Sequence, residues 1–518
     1  MKKKIALLLA LLLGLSACGV RGAEACVVVE YGLSNPWDSL MPYNSPSGSN
    51  YSRIIYDKIY DRLAYVHAGG ALDPRGAASW EGADGGYAAV FHLDRDAAFH
   101  DGTPVTAEHW VETIRRMTDP ACPAVGKSVF SVLAGTDGSG AATGAPLGAQ
   151  ALDAYTLKLT FKTPTTPEDF LLDRNREYYV LPTHLFEDVQ GAQLLSLDLW
   201  DAPVGSGPCT FISETAGSRL VLGANPDYQL GRPGFDELVI SVVDKSNLLP
   251  SMIAGDLDYY AFGGSVAAED APSARSGGLE VLEGETPNTF FELMLNNETL
   301  SRPVRQAIDL ALDKQALCLQ ATGGLGEPAD SDLLPGGEYA VKNTWSRDLE
   351  RARALLAEGG YDGRTFRLAC TANRSGLAAL VQQELAEAGL SIEIETVDSA
   401  AMFSGMADGS YDMGIASHTP SALPLWFTES RLAEGNNIFH VPDLTPYAGY
   451  IAGIKGEMDP AARRALVAEF QAFLTQERPF IPLWFGRALH VQSPTVEGID
   501  YPSSSFCNEN VWEWTLRR

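Results

Sequence analysis

The chain opens Met1-Lys2-Lys3-Lys4, runs on as an apolar stretch from Ile5 to Leu13, and contains no second apolar stretch of membrane length in its 518 residues. A basic start, a short apolar segment and small residues after it are the marks of a secretion leader, and the run is too short to span a bilayer comfortably. The rest of the chain must therefore fold in water on the far side of a membrane. It is long enough for several domains of ordinary size, and 45% hydrophobic with 9% aromatic content supplies real cores. Removing residues 1–17 takes three lysines and no acid from a formal charge of −28, leaving −31. Such a surface repels nucleic acid and anionic lipid. Steering of a cationic ligand and a merely soluble acidic surface both fit it.

Leu15-Ser16-Ala17-Cys18 resembles the lipobox of bacterial lipoproteins. The resemblance implies cleavage before Cys18, a thioether-linked diacylglycerol on that residue and an added N-acyl chain, a combination that anchors stably where one chain would not. Cleavage nearer Ala23 or Ala25 by an ordinary secretory peptidase is the alternative, and either places the protein outside the cytoplasm. The other cysteines, Cys26, Cys122, Cys209, Cys318, Cys370 and Cys507, form no Cys-x-x-Cys pair of the zinc or dithiol type. One or more disulfides are expected in an oxidising compartment, with the pairing open.

Strand and helix signals alternate along the chain. Thr106 is placed to cap a helix whose apolar face is Ala107, Trp110, Val111 and Ile114, with His109 on its surface. Pro303 opens another, with Val304, Ala307, Ile308, Ala311 and Leu312 at helical spacing. Leu349, Ala352 and Leu356 mark a third before Gly359-Gly360, and Asp459-Pro460 starts a fourth facing inward through Leu466, Phe470, Phe473 and Leu474. Tyr87 to Leu93, Leu157 to Phe161, Glu237 to Val243 and Ile392 to Val397 read as strands, and Ala134 to Ala151 as a surface loop. The class is mixed α/β with more than one sheet.

Catalytic patterns do not emerge. Gly-x-Ser-x-Gly, Ser-x-x-Lys and His-Glu-x-x-His are all missing from the sequence, and the histidines are scattered without metal-site spacing. His100 reads as a hydrogen-bonding residue in the turn before Asp101-Gly102. Neither a metal nor a cofactor is called for.

Leu72-Asp73-Pro74, Ala78-Ser79-Trp80-Glu81, Phe91-His92-Leu93 and Phe99-His100-Asp101-Gly102-Thr103-Pro104-Val105-Thr106-Ala107-Glu108 together resemble the signature of the peptide/nickel-type (family 5) solute-binding proteins of ABC importers. Pro203-Val204-Gly205-Ser206-Gly207-Pro208, Asn225-Pro226-Asp227-Tyr228, Val304-Arg305-Gln306-Ala307-Ile308, Ala352 to Tyr361 and Ile481-Pro482-Leu483 resemble later blocks, in the family's order. The resemblance implies a two-lobed periplasmic-binding-protein-like α/β fold of the large peptide-binding class (type II), with an extra subdomain in the first lobe. It places residues 18–50, 183–285 and 487–518 in the first-lobe core, 51–182 in the subdomain and 286–486 in the second lobe. Crossings near Thr286 to Leu295 and Pro479 to Gly486 would let the lobes close on a solute. The implied partners are a peptide or small chelate and an ABC permease and ATPase, with the lipid as the sole membrane contact, no nucleic acid, and a monomeric chain.

Peptide-binding relatives commonly place an aspartate, for the peptide's α-ammonium, in the tract matching Tyr411 to Phe427. Here no acid stands between Asp412 and Glu429, and Ser421 falls about where that aspartate belongs. A buried ammonium without a carboxylate costs several kcal/mol, so either another residue supplies it or the solute lacks a free amine there. Candidate ligand-binding residues are His418 at the cleft mouth, Trp426 as an aromatic wall, Arg174 and Arg176 as a carboxylate clamp, and Tyr51 and Arg53 on a helix beside the cleft. For each a purely structural reading stands alongside: a satisfied histidine, a core tryptophan, solvated arginines. His440 is a weaker second candidate for contact with a metal chelate.

Overall fold

The computed structural model describes residues 26–45, 49–174, 178–262, 264–341, 346–433, 435–501 and 509–517. The leader, Cys18, Arg176 and Cys507 lie outside the described residues. Cys26 is disulfide-bonded, while Cys122, Cys209, Cys318 and Cys370 are buried free thiols.

Two bodies of chain build separate cores. The first is organised on a five-stranded sheet in the order Tyr259–Tyr260, Val28–Leu33, Glu237–Val242, Arg219–Ala224, Cys209–Thr215. An antiparallel four-stranded sheet, Ala77–Ala83, Ala88–Leu93, Thr156–Thr160, Ala149–Asp153, packs into the same core. That core runs from Val29 to Ala261 and then takes back Val496, Val511 and Trp514 from the far end of the chain. The second body has a six-stranded sheet in the order Gly326–Pro328, Phe480–Gly486, Thr289–Leu295, Met413–His418, Thr365–Cys370, Ser391–Thr396. Its two faces are covered by cores drawn only from residues between Phe290 and Phe485. One lobe is thus inserted in the other, a two-lobed α/β fold.

The chain passes between lobes along paired segments. Glu280–Glu283 and Leu489–Gln492 pair on the first-lobe side, and Thr289–Leu295 and Phe480–Gly486 pair inside the second-lobe sheet. Between them the Gly284 N–H donates to the Ala488 carbonyl at 2.8 Å and the Asn288 N–H to the Gly486 carbonyl at 2.9 Å. The passage falls at residues 284–288 and 487–488, overlapping the start of the expected Thr286 to Leu295 crossing and following directly on the expected Pro479 to Gly486 one.

Local chemistry explains the anticipated elements. Thr106 and His109 form a reciprocal cap at the start of the Ala107–Thr118 helix. His109 is therefore a half-buried capping residue rather than a surface one, and burial pushes its pKa down to about 4. His100 accepts from the Gly205 N–H at 3.1 Å through Nδ1, leaving Nε2–H to donate to the Gly207 carbonyl at 3.1 Å. The two most recognisable sequence blocks are thus one hydrogen-bonded unit. A Cβ on Gly205 would stand 1.8 Å from the Ile59 carbonyl oxygen, so only glycine fits there. The stretch from Ala134 to Ala151, expected as a loop, ends instead in the Ala149–Asp153 edge strand, because its backbone finds Thr156–Thr160 to pair with. In the Pro460–Glu477 helix the buried face is Arg463, Val467, Phe470, Gln471 and Leu474, with Leu466 and Phe473 at its margin.

Candidate functional site

The surfaces where the lobes meet are built from short loops and helix ends, and they enclose space. A cavity of about 470 Å³ lies between Gly69 and Gly70 of the first lobe, Asp169 and Leu172 of the Pro167–Arg174 helix, and Tyr339 and Ala422 of the second lobe. A neighbouring one of about 330 Å³ sets Phe170 and Asp173 against Leu425, Trp426 and Glu429. Nearer the crossing segments, about 700 Å³ is bounded by His67, Glu283, Asn288, His490 and Asp500. The lobes touch across the first two cavities through an ion pair between Asp169 and Arg463. Close approach is possible because a Cβ on Gly70, at φ +85°, would come within 2.2 Å of the Ala422 Cβ.

Trp426 is 38% exposed and lines the 330 Å³ cavity together with Phe170. His418 ends the Met413–His418 strand, and both its nitrogens are engaged. Nε2 lies 2.7 Å from Oε1 of Glu292, while Arg431 Nη2 lies 2.9 Å from Nδ1. A carboxylate only accepts, so the proton sits on Nε2 and Nδ1 accepts from the arginine. Arg174 ends the Pro167–Arg174 helix beside the cavities, and Arg176 lies outside the described residues. Tyr51 is tied to its own lobe, its hydroxyl 2.7 Å from Ser34 Oγ and its ring edge-on to Phe262. Arg53 lines a separate cavity of about 160 Å³ with Tyr43, Tyr56 and Tyr179. His440 donates through Nε2–H to the Met406 carbonyl at 2.8 Å, within the second lobe. Among the described residues no cluster of histidine, cysteine and carboxylate suited to a metal is present.

Sequence reasoning did not find Asp169, Arg463, Glu292 or Arg431. Asp169 and Arg463 are 294 residues apart and carry no motif. Glu292 is an acid on a strand that alternates Phe290, Glu292 and Met294 toward one core. Its break in an apolar pattern was the available signal. Glu292 is fully buried, and its Oε2 has no hydrogen-bond partner among the described residues. Nearby, Asp332 accepts from Gln471 at 3.0 Å, and burial, reinforced by the charge of Glu292, pushes its pKa up to about 6.

An inserted lobe and a two-segment crossing set cavities between two bodies of chain, a geometry able to hold a solute. The family model for bacterial extracellular solute-binding proteins, family 5, in its middle portion, matches residues 71–437, and the chain belongs to that family of ABC-importer binding proteins. It is 23% identical over 475 residues to the oligopeptide-binding protein AppA of Bacillus subtilis, covering 83% of this chain and 81% of the relative. It is 25% identical over 538 residues to di/tripeptide-binding protein 4 of Pseudomonas aeruginosa, covering 97% of each. Among solved structures, the unliganded open form of the periplasmic murein tripeptide-binding protein MppA superposes with a TM-score of 0.81 at 18% identity, covering 95% of this chain and 98% of that one. The family is one of solute-binding proteins, and both of these curated relatives are named as peptide-binding proteins. Among the described residues no helix is long and apolar enough to cross a membrane.

Proposed function

We propose that the protein is the lipid-anchored substrate-binding component of an ABC importer, taking up a peptide or peptide-like solute between its lobes and presenting it to a membrane permease. In this reading residues 18–50, 183–285 and 487–518 form the first-lobe core, 51–182 its extra subdomain and 286–486 the second lobe. The observation that carries it is the interlobe space spanned by Asp169 and Arg463, with the paired crossing segments beside it as hinge. Peptides are favoured because curated relatives over most of the chain's length are named as oligopeptide- and di/tripeptide-binding proteins. Cys18 supplies the anchor. Native mass spectrometry of the purified protein should show a retained peptide, and Cys18→Ala should release the protein from the membrane fraction or leave the precursor uncleaved. A ligand-free spectrum together with no binding from a peptide digest would overturn the peptide assignment.

A metal chelate or other non-peptide solute is the second reading, and the observation favouring it is the acid-free tract from Met413 to Thr428. Against a direct metal contact, both nitrogens of His418 already have protein partners.

A further inference from the structure

Asp169 and Arg463 line both of the first two interlobe cavities, of about 470 Å³ and about 330 Å³, and among the described residues every other lining residue belongs to one of them alone. The ion pair they form therefore stands between the two spaces. The chain on either side passes from one space to the other within a few residues. Thr166 and Leu172 face the larger space and Thr165 and Phe170 the smaller, while Ala422 lines the larger and Leu423 the smaller.

The pair is fixed from both ends. Asp169 lies at the start of the Pro167–Arg174 helix, whose Phe170 and Leu171 are anchored in the first-lobe core. Arg463 lies at the start of the Pro460–Glu477 helix, where Asp459 accepts from the Ala462 N–H at 2.8 Å, and it faces inward with Val467 and Phe470. Its guanidinium carbon stands 5.7 Å from the ring centre of Tyr339. Arg463 is buried, its Nε has no hydrogen-bond partner among the described residues, and Asp169 is its one ion-pair partner among them. Breaking the pair leaves a desolvated cation uncompensated, so this contact differs from a mobile surface pair, which is worth little. The carboxylate and the guanidinium come from opposite lobes, and a charge-assisted bond between two helix starts makes a rigid bar.

The spaces it separates differ in chemistry. Gly69, Gly70, Gly336 and Gly337 wall the larger, so backbone groups are brought to it without side chains in the way. Phe170, Leu425 and Trp426 wall the smaller, a surface for an apolar side chain. Each lies in the lower part of the roughly 300–1,000 Å³ range of small-molecule sites, and a solute too long for one must run through the position of the pair.

We infer that the Asp169–Arg463 pair is a bar that sets the length of the solute: a short peptide is held with the pair intact, and a longer one is admitted only by breaking it. The inference rests on the proposed interlobe binding and names the residues that decide which peptides are taken.

The test uses the full mature chain and one casein digest separated by size into a pool of di- and tripeptides and a pool of hexa- to octapeptides. Retention is read by native mass spectrometry on the wild type, Asp169→Ala, Arg463→Met and the charge swap combining Asp169→Arg with Arg463→Asp, each confirmed as folded by circular dichroism. The expected result is an at least tenfold preference of the wild type for the short pool, lost in either single variant and recovered in the swap. No preference for the short pool in the wild type, or one that both single variants keep, overturns the bar while leaving peptide binding in place. A loss that the swap does not recover assigns the effect to the separate side chains and overturns it as well. Retention of neither pool overturns the peptide reading, and small-angle scattering of the solute-free protein then decides the bar: a larger radius of gyration in both single variants, reversed in the swap, upholds it, and superimposable curves overturn it too.

Discussion

Buried charge is handled differently around the first lobe's Asn50–Ile59 helix and around the second lobe's Met413–His418 strand, although the second lobe also holds a paired cluster in which Lys314 and Arg478 meet Asp309 at 2.9 and 2.8 Å. In the first lobe, Lys58 meets Glu509 at 2.6 Å, Arg62 meets Asp57 at 3.0 Å, and Arg75 meets Asp57 at 2.9 Å and Asp61 at 2.8 Å, all of them almost wholly inaccessible to water. Each of these cations has a carboxylate, and the cluster ties the Asn50–Ile59 helix to the chain's last segment. In the second lobe Glu292 meets an imidazole, Asp332 meets an amide and Arg431 meets an imidazole and two aromatic rings. The first arrangement is complete without a solute. In the second, none of these groups is held in a pair of arginine or lysine with a carboxylate among the described residues.

The largest effect that would test this contrast is in the first lobe. Arg75→Met leaves Asp61 in the core without a guanidinium and Asp57 with Arg62 alone, and should lower stability by about 3–5 kcal/mol, read as a fall in the denaturant midpoint. Arg431→Gln, which removes a hydrogen bond to His418 and two ring contacts but no carboxylate's ion-pair partner among the described residues, should shift the same midpoint by about 1 kcal/mol. Equal losses from the two substitutions would erase the distinction.

Asp332 gives an intermediate effect with a defined sign. The folded state keeps a proton on it up to about pH 6 that the unfolded chain, with the ordinary value of 3.8, has already released. Stability should therefore decline as pH rises from about 4 to 6, by about 1–3 kcal/mol for a shift of this size. Asp332→Asn should flatten that slope; an unchanged slope would show that Asp332 is ionised in the fold.

His67 should give the smallest. Burial works against its protonation, but Asp73 at 2.7 Å and Asp500 at 2.8 Å, one on each ring nitrogen, raise its pKa above the ordinary 6.5. The stabilisation is complete below that ordinary value and lost as pH rises through the raised one. The group is 35% exposed, so the loss should be modest, and His67→Gln should remove this step from a thermal-midpoint titration between pH 6 and 8.

Much of the architecture was legible because it depends on local rules. Thr106, Pro303 and Asp459 start helices by chemistry that a few residues contain, and Gly205 and Gly207 are required wherever a backbone passes at contact distance. His109 was misplaced because its capping partner is the backbone of Thr106, a contact that composition does not reveal. Ala149–Asp153 was missed as a strand because what makes it one is Thr156–Thr160 alongside.

The candidate site divides along the same line. Trp426 and His418 were visible in the sequence as residues of a distinctive tract, but whether His418 was free to touch a solute depended on Glu292, 126 residues away, and on Arg431. By itself the sequence determined the family, the α/β class, the order of its blocks and the acid-free tract, since these are properties of neighbouring residues and spacing. Tertiary structure alone decided that Asp169 faces Arg463 across the lobes, that Asp57 and Lys58 are core residues, and that His418 lies between Glu292 and Arg431. The physical reason is that a charge's partner, and hence its energetic state, is set by which distant segments the fold brings within a few ångströms.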